Sequence, residues 1–157
     1  MNGQYSDVDA ISILSEAVKE ENLVQLILHT HLLLERGLER QIAGKSVQMP
    51  KGFNKKLSLY VNVTKPPKGK KRLLSGFNNL RNKIAHMLED EEKCVWECLP
   101  WDEARGPKPN VDTHVLMVAL ELLNDLREIN ETDFEEQYGT ACDKLLKATQ
   151  TKSSHQI

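Results

Sequence analysis

The chain has 157 residues, 39% apolar and 28% charged, with a formal net charge of −2; that is about one domain, long enough to bury a core without disulfide staples. No run of about 18 apolar residues offers a membrane span, and the opening MNGQYSDVDA lacks the basic start and apolar stretch of a secretory signal. We therefore expect a soluble, cytoplasmic protein with no membrane partner.

In chain order, Ser6 with Asp9 is placed to cap a helix running to about Lys19. Leu23, Ile27, Leu34, Leu38 and Ile42 then recur at helical intervals between Asn22 and Ala43, with Val24, Leu26, Leu28, Leu32 and Leu33 filling most other directions. A helix apolar nearly all round belongs at the centre of a bundle, and Gly44 supplies its stop. Gly44-Lys45-Ser46 ends like a phosphate-binding loop, but the glycine required five residues earlier is Glu39 and no strand precedes it, so nucleotide hydrolysis is not expected.

Phe53, Leu57 and Tyr60 mark a short helix, although Ser58 to Val63 also contains the chain's one alternating stretch. The run Lys65-Pro66-Pro67-Lys68-Gly69-Lys70-Lys71-Arg72 is expected to be loop, because the proline pair forbids continuation of a helix. From Leu73 onward, Leu73, Phe77, Leu80, Ile84, Met87 and Leu88 fall within roughly 60° of one line at about 100° per residue, which marks a core face. The opposite line carries Ser75, Asn78, Asn79, Asn82 and His86, small or neutral polar groups in place of the Lys and Glu of a merely solvated face. That row calls for a partner. Arg81 sits about 80° from the stripe, able to turn its guanidinium either way.

Cys94 to Asn110, with Trp96, Pro100, Trp101, Gly106, Pro107 and Pro109, breaks helical periodicity and reads as a long connection with aromatic anchors. Val111, Val115, Leu122, Leu126 and Ile129 mark a second long helix, capped by Asn110 or Asp112, and Phe134, Tyr138, Leu145 and Leu146 a last one. The expected fold is all-α: one helical domain over residues 1–148, followed by a flexible polar tail over 149–157. The cysteines Cys94, Cys98 and Cys142 are odd in number and read as free thiols. Cys94 and Cys98 lack a histidine at zinc spacing, and His29 and His31 do not form His-x-x-x-His, so neither metal nor cofactor is expected.

Charge is segregated. Arg40 to Leu88 holds twelve of the chain's 21 Lys and Arg and none of its 23 Asp and Glu. Such a segment can concentrate polyanions, or fold back on acidic helices. Within it, Arg81, Asn82 and His86 combine a proton-transferring imidazole with groups that bind phosphate oxygens without changing charge. This set suits phosphodiester cleavage through a ribose 2′-hydroxyl, with His86 moving the proton, Arg81 stabilising the transition state and Asn82 orienting phosphate or His86. Lys68, Lys70, Lys71 and Arg72 are the expected RNA-guiding cations. His31 and Glu35, one turn apart on the first long helix, are candidate supports, Glu35 either holding Arg81 or fixing a histidine, or else neutralising Arg36 or Arg40.

Leu80-Arg81-Asn82-Lys83-Ile84-Ala85-His86 closely resembles the Arg-x-x-x-x-His signature of HEPN domains. The resemblance implies an up-and-down helical bundle that dimerises, two signature helices meeting in a composite cleft. In active members Arg and His carry metal-independent RNA cleavage; members include toxins with antitoxin partners, defence proteins, and inactive nucleotide- or protein-binding relatives. The chain is most similar to the mannitol-repressor-like subgroup, through the helix around His31-Leu32-Leu33-Leu34-Glu35-Arg36-Gly37-Leu38, the Phe-x-x-Lys-Leu pattern at Phe53 to Leu57, and Arg-Asn-x-x-Ala-His. Agreement spans roughly Leu23 to Leu88. The tyrosine that antitoxin-controlled members often place two residues after the histidine is here Leu88. The resemblance implies an endoribonuclease of toxin or phage-defence type, or alternatively a non-enzymatic transcriptional regulator or interaction module in which Arg81 and His86 hold the bundle or dimer together.

Overall fold

The computed structural model describes residues 7–45, 48–86 and 90–128. Six α-helices and one short 3-10 turn occupy them, with no strand among the described residues. The expected last helix, the tail from 149, and Ser6, Met87, Leu88, Ile129 and Cys142 lie outside them. No described helix is long and apolar enough to cross a membrane.

Helix α1 (Asp7–Lys19) packs on α2 (Leu23–Ile42), whose start is capped by Asn22 accepting from the Gln25 amide at 3.1 Å. Because α2 also touches α3 (Phe53–Thr64), α4 (Lys68–His86) and α6 (Val111–Asp125), it is the central helix its all-round apolar pattern predicts. Leu32 is the exception, 65% exposed. Gly44 ends the helix in the left-handed region, at φ 81°, as a glycine stop should. Where Gly37 faces the end of α6, an added Cβ would lie 2.8 Å from Glu128 Cγ, so this side of α2 is held close by having no side chain.

Helix α3 (Phe53–Thr64) includes the Ser58 to Val63 stretch, whose alternation therefore carries no strand. Lys65, at φ 50°, and the proline pair turn the chain into α4 (Lys68–His86). The expected loop thus ends at Pro67, and Lys68 to Arg72 form the opening of α4. Proline forbids continuation of the preceding helix but not the start of the next, and Pro67 O accepts from the Lys70 and Lys71 amides at 3.0 and 3.3 Å. Leu74, Phe77, Leu80 and Ile84 bury the core face of α4. Asn78 departs from the expected outward row: it is 6% exposed and bonded to α2.

Cys94 to Cys98 is helical, not connection. Asp90 accepts from the Glu92 and Lys93 amides and opens α5 (Glu91–Cys98), with Glu91 and Glu92 favourably placed in its first turn. The following segment, including the 3-10 turn Glu103–Arg105, wraps an aromatic plug. His114 of α6 (Val111–Asp125) stacks on Trp96 at 4.9 Å, meets Trp101 edge-on at 5.6 Å, and has Nε2 2.8 Å from Leu99 O. Past α6, the fully buried Glu128 carboxylate receives Arg36 at 2.8 Å and Arg40 at 3.1 Å, tying the chain back to α2.

Candidate functional site

Arg81 and Asn82 sit exposed on α4, Arg81 Nη1 donating to Asn82 Oδ1 at 3.4 Å. On one side of the pair a cleft of about 630 Å3 opens between α2, the start of α3 and α4, lined by His31, Glu35, Lys51, Asn54, Lys55 and Asn78 as well as Arg81 and Asn82. On the other, a groove of about 870 Å3 between α4 and α5 carries Lys68, Lys71, Arg72, Asn79, Asn82 and Lys83, with Glu97 and Cys98 opposite. Asn82 belongs to both.

The floor of the cleft is a fixed polar chain. His31, 8% exposed, stacks on Phe53 with centroids 4.7 Å apart, and its Nε2 lies 2.9 Å from Asn78 Oδ1. Asn78 Nδ2 donates to Asn54 Oδ1 at 3.2 Å. With its amide nitrogen so used, Asn78 offers His31 a carbonyl oxygen, which makes Nε2–H the donor and leaves the lone pair on Nδ1. Burial pushes the His31 pKa below its ordinary 6.5; the Asn78 bond and Glu35 oppose the shift, and the Arg81 charge adds to it.

Glu35 holds Lys56 rather than Arg81. The Lys56 ammonium, reaching across from α3, lies 3.6 Å from Glu35 and 2.7 Å from Glu39, while Arg36 and Arg40 turn to Glu128. Arg81 makes no ion pair with a carboxylate among the described residues, and neither do Lys51, Lys55, Lys68, Lys71 and Arg72. Of the expected RNA-guiding cations, Lys70 stands apart: its ammonium sits between Glu121 and Asp125 of α6, the latter at 2.9 Å. Lys83 pairs with Glu97 across the groove at 2.8 Å. Apart from Lys45 and Lys65, which line neither opening, the basic segment thus divides between cations folded back on acidic helices and cations facing the two openings.

His86 is the last residue of α4, exposed, and lines neither opening. Five helical positions separate it from Arg81, about 7.5 Å along the axis and about 140° around it. Within the described chain, the histidine that shares a cleft with Arg81 and Asn82 is therefore His31. The motif drew attention to Arg81 and Asn82 but not to Lys51, Asn54 and Lys55, which the turn into α3 brings up to them; their signal was only that no acidic residue lies near them in sequence. Among the described residues no three His, Cys, Asp or Glu side chains gather as a metal site would need.

Comparison with models of known families, with curated proteins and with solved structures finds no match for this chain.

Proposed function

We propose that the protein is a metal-independent endoribonuclease with a HEPN-like bundle, acting as a homodimer in a toxin or phage-defence role. The observation that carries the reading is the position of Arg81 and Asn82 on one cation-lined cleft, with Asn82 also lining a second, and the guanidinium having no carboxylate partner among the described residues. A phosphodiester is the chemistry that such a guanidinium and its flanking lysines suit.

His86 enters through the dimer. Exposed at the end of α4 and outside its own protomer's cleft, it is free to address a phosphate held by a second copy, which is the arrangement that the family resemblance implies. In the reaction His86 takes the proton of the ribose 2′-hydroxyl as O2′ bonds to phosphorus. The P–O5′ bond breaks, the leaving 5′-oxygen takes a proton from solvent, His86 returns its own proton to solvent afterwards, and Arg81 stabilises the extra charge on the phosphoryl oxygens. The products are a 2′,3′-cyclic phosphate and a 5′-hydroxyl.

In the rival reading, a non-enzymatic regulator, Arg81 and His86 hold the bundle or dimer together. Both side chains are exposed, which speaks against a role inside the bundle but not against one between two copies, so loss of association in His86→Ala would favour this reading. The deciding experiment is RNA cleavage in EDTA by wild type and His86→Ala, with sedimentation and thermal melting of both. The proposal expects activity in the wild type, a loss of about 100-fold or more in the variant, and equal folding and association. Folded dimers of wild type that leave single-stranded and structured RNAs intact would refute it.

A further inference from the structure

The cleft beneath Arg81 has a composition that cleavage at a phosphate alone does not require. Its volume, about 630 Å3, lies in the roughly 300–1,000 Å3 range of small-molecule sites. Lys51, Lys55 and Arg81 surround it without a carboxylate partner among the described residues, and Glu35, the acid on its wall, is held by Lys56. Below them the exposed Asn54, whose Oδ1 is held by the Asn78 amide that His31 in turn fixes, keeps its own side-chain NH2 for a base edge. Leu28 and the 65% exposed Leu32 provide an apolar side. Cations, an amide and an apolar strip in one cleft match phosphate, base edge and base face. Asn82 lines both this cleft and the α4–α5 groove, which Lys68, Lys71 and Arg72 line with further positive charge.

We infer that this cleft is the subsite for the nucleotide next to the cleaved bond, occupied in single-stranded form, the strand crossing Asn82 from the α4–α5 groove. The inference rests on the cleavage reading and adds to it a path and a substrate class. An unpaired strand can turn its base into the cleft, whereas a base inside a duplex keeps its edge paired and its faces stacked.

The test uses the full chain carrying His86→Ala, so that binding is read without turnover, and a fluorescent single-stranded oligoribonucleotide titrated over a salt series. Each phosphate that a cation neutralises on a single strand contributes about 0.7 to the slope of log affinity against log salt. Lys51→Ala/Lys55→Ala is expected to lower that slope by about 1.4, with unchanged melting because both side chains are exposed. Lys71→Ala/Arg72→Ala should lower it by a similar amount, and the exposed Lys45→Ala, outside both openings, should leave it as it is. Should the Lys51/Lys55 variant keep the slope of the Lys45 control while the Lys71/Arg72 variant shows a shallower one, the subsite is wrong and the cleavage reading stands. Failure of every protein to bind RNA at low salt overturns both. A blunt duplex that binds as tightly as the single strand, and is weakened equally by Lys51→Ala/Lys55→Ala, overturns the single-stranded assignment.

Discussion

Gly76→Ala isolates how closely α5 is drawn onto α4, the approach that shapes the Lys71 and Arg72 groove. A Cβ built at position 76 would lie 2.3 Å from the backbone oxygen of Cys98 and 3.4 Å from Leu99 Cδ2. The obstructing atom is backbone at the end of α5 and cannot rotate away, so α5 must retreat or α4 must bend. Alanine gains about 1 kcal/mol of helix propensity over glycine, while forcing a group into a packed interface costs about 1–3 kcal/mol. Because the obstacle is backbone, the upper half of that range applies, and the net destabilisation should be about 1–2 kcal/mol. For a chain of 157 residues this is a fall in Tm of about 3–6 °C. Gly69→Ala is the internal control, since a Cβ there meets nothing within 4 Å; it should gain up to about 1 kcal/mol from propensity alone. Differential scanning calorimetry of both variants reads the contrast. A Gly76→Ala protein as stable as wild type, or stabilised like Gly69→Ala, would refute the close approach of the two helices.

Other outcomes follow from the same packing. Glu128→Ala should cost about 3–5 kcal/mol in chemical denaturation, because it leaves Arg36 and Arg40 facing a buried site without their shared carboxylate; a change below about 1 kcal/mol would mean that the carboxylate does not bind the end of α6 to α2. Lys70→Ala should leave RNA affinity near wild type, because its ammonium is committed to Glu121 and Asp125, whereas Lys71→Ala should weaken binding; equal weakening would show that the α6 pairing is not maintained in solution. Acid should destabilise the fold through His31 and His114, whose pKa values burial lowers from 6.5 in both cases. A depressed folded-state pKa means that the unfolded chain binds the proton first, so stability falls as pH drops below 6.5 and levels off below the folded values, by at most about 1.4 kcal/mol per pH unit for each imidazole. His114→Gln should flatten that slope in pH-dependent melts; an unchanged slope would place the titration elsewhere.

Local periodicity reveals elements whose whole surroundings are apolar, and tertiary contacts hide the rest. The filled apolar wheel of residues 23–42 suffices to make α2 central, and Asn110 with the pattern after it suffices for α6. Asn78 shows the opposite case. A neutral polar residue facing away from an apolar stripe reads as solvent-facing, yet it is buried because His31, 47 positions away in sequence, supplies its hydrogen bond. The same distance problem concealed Lys51, Asn54 and Lys55, which reach Arg81 only through the turn into α3. Helix α5, eight residues opened by the Asp90 cap, is too short to show a periodicity of its own beside the prolines and tryptophans that break the pattern after it.

The start of α4 is where local preference and structure conflict most. Its first turn holds no acidic residue, and Lys68, Lys70, Lys71 and Arg72 crowd the end of the helix where the macrodipole disfavours positive charge. Acidic α6 neutralises Lys70 alone. If these cations served only solubility, they would sit with less repulsion at the other end of the helix or beside the carboxylates of α5. Lys68, Lys71 and Arg72 instead face a groove that shares Asn82 with the Arg81 cleft, so this end of α4 carries both unmatched charge and an outward-facing dipole of the same sign. Places where a chain keeps an unfavourable local choice are where a ligand is expected to supply the compensation, and a polyanion passing along α4 compensates charge and dipole together.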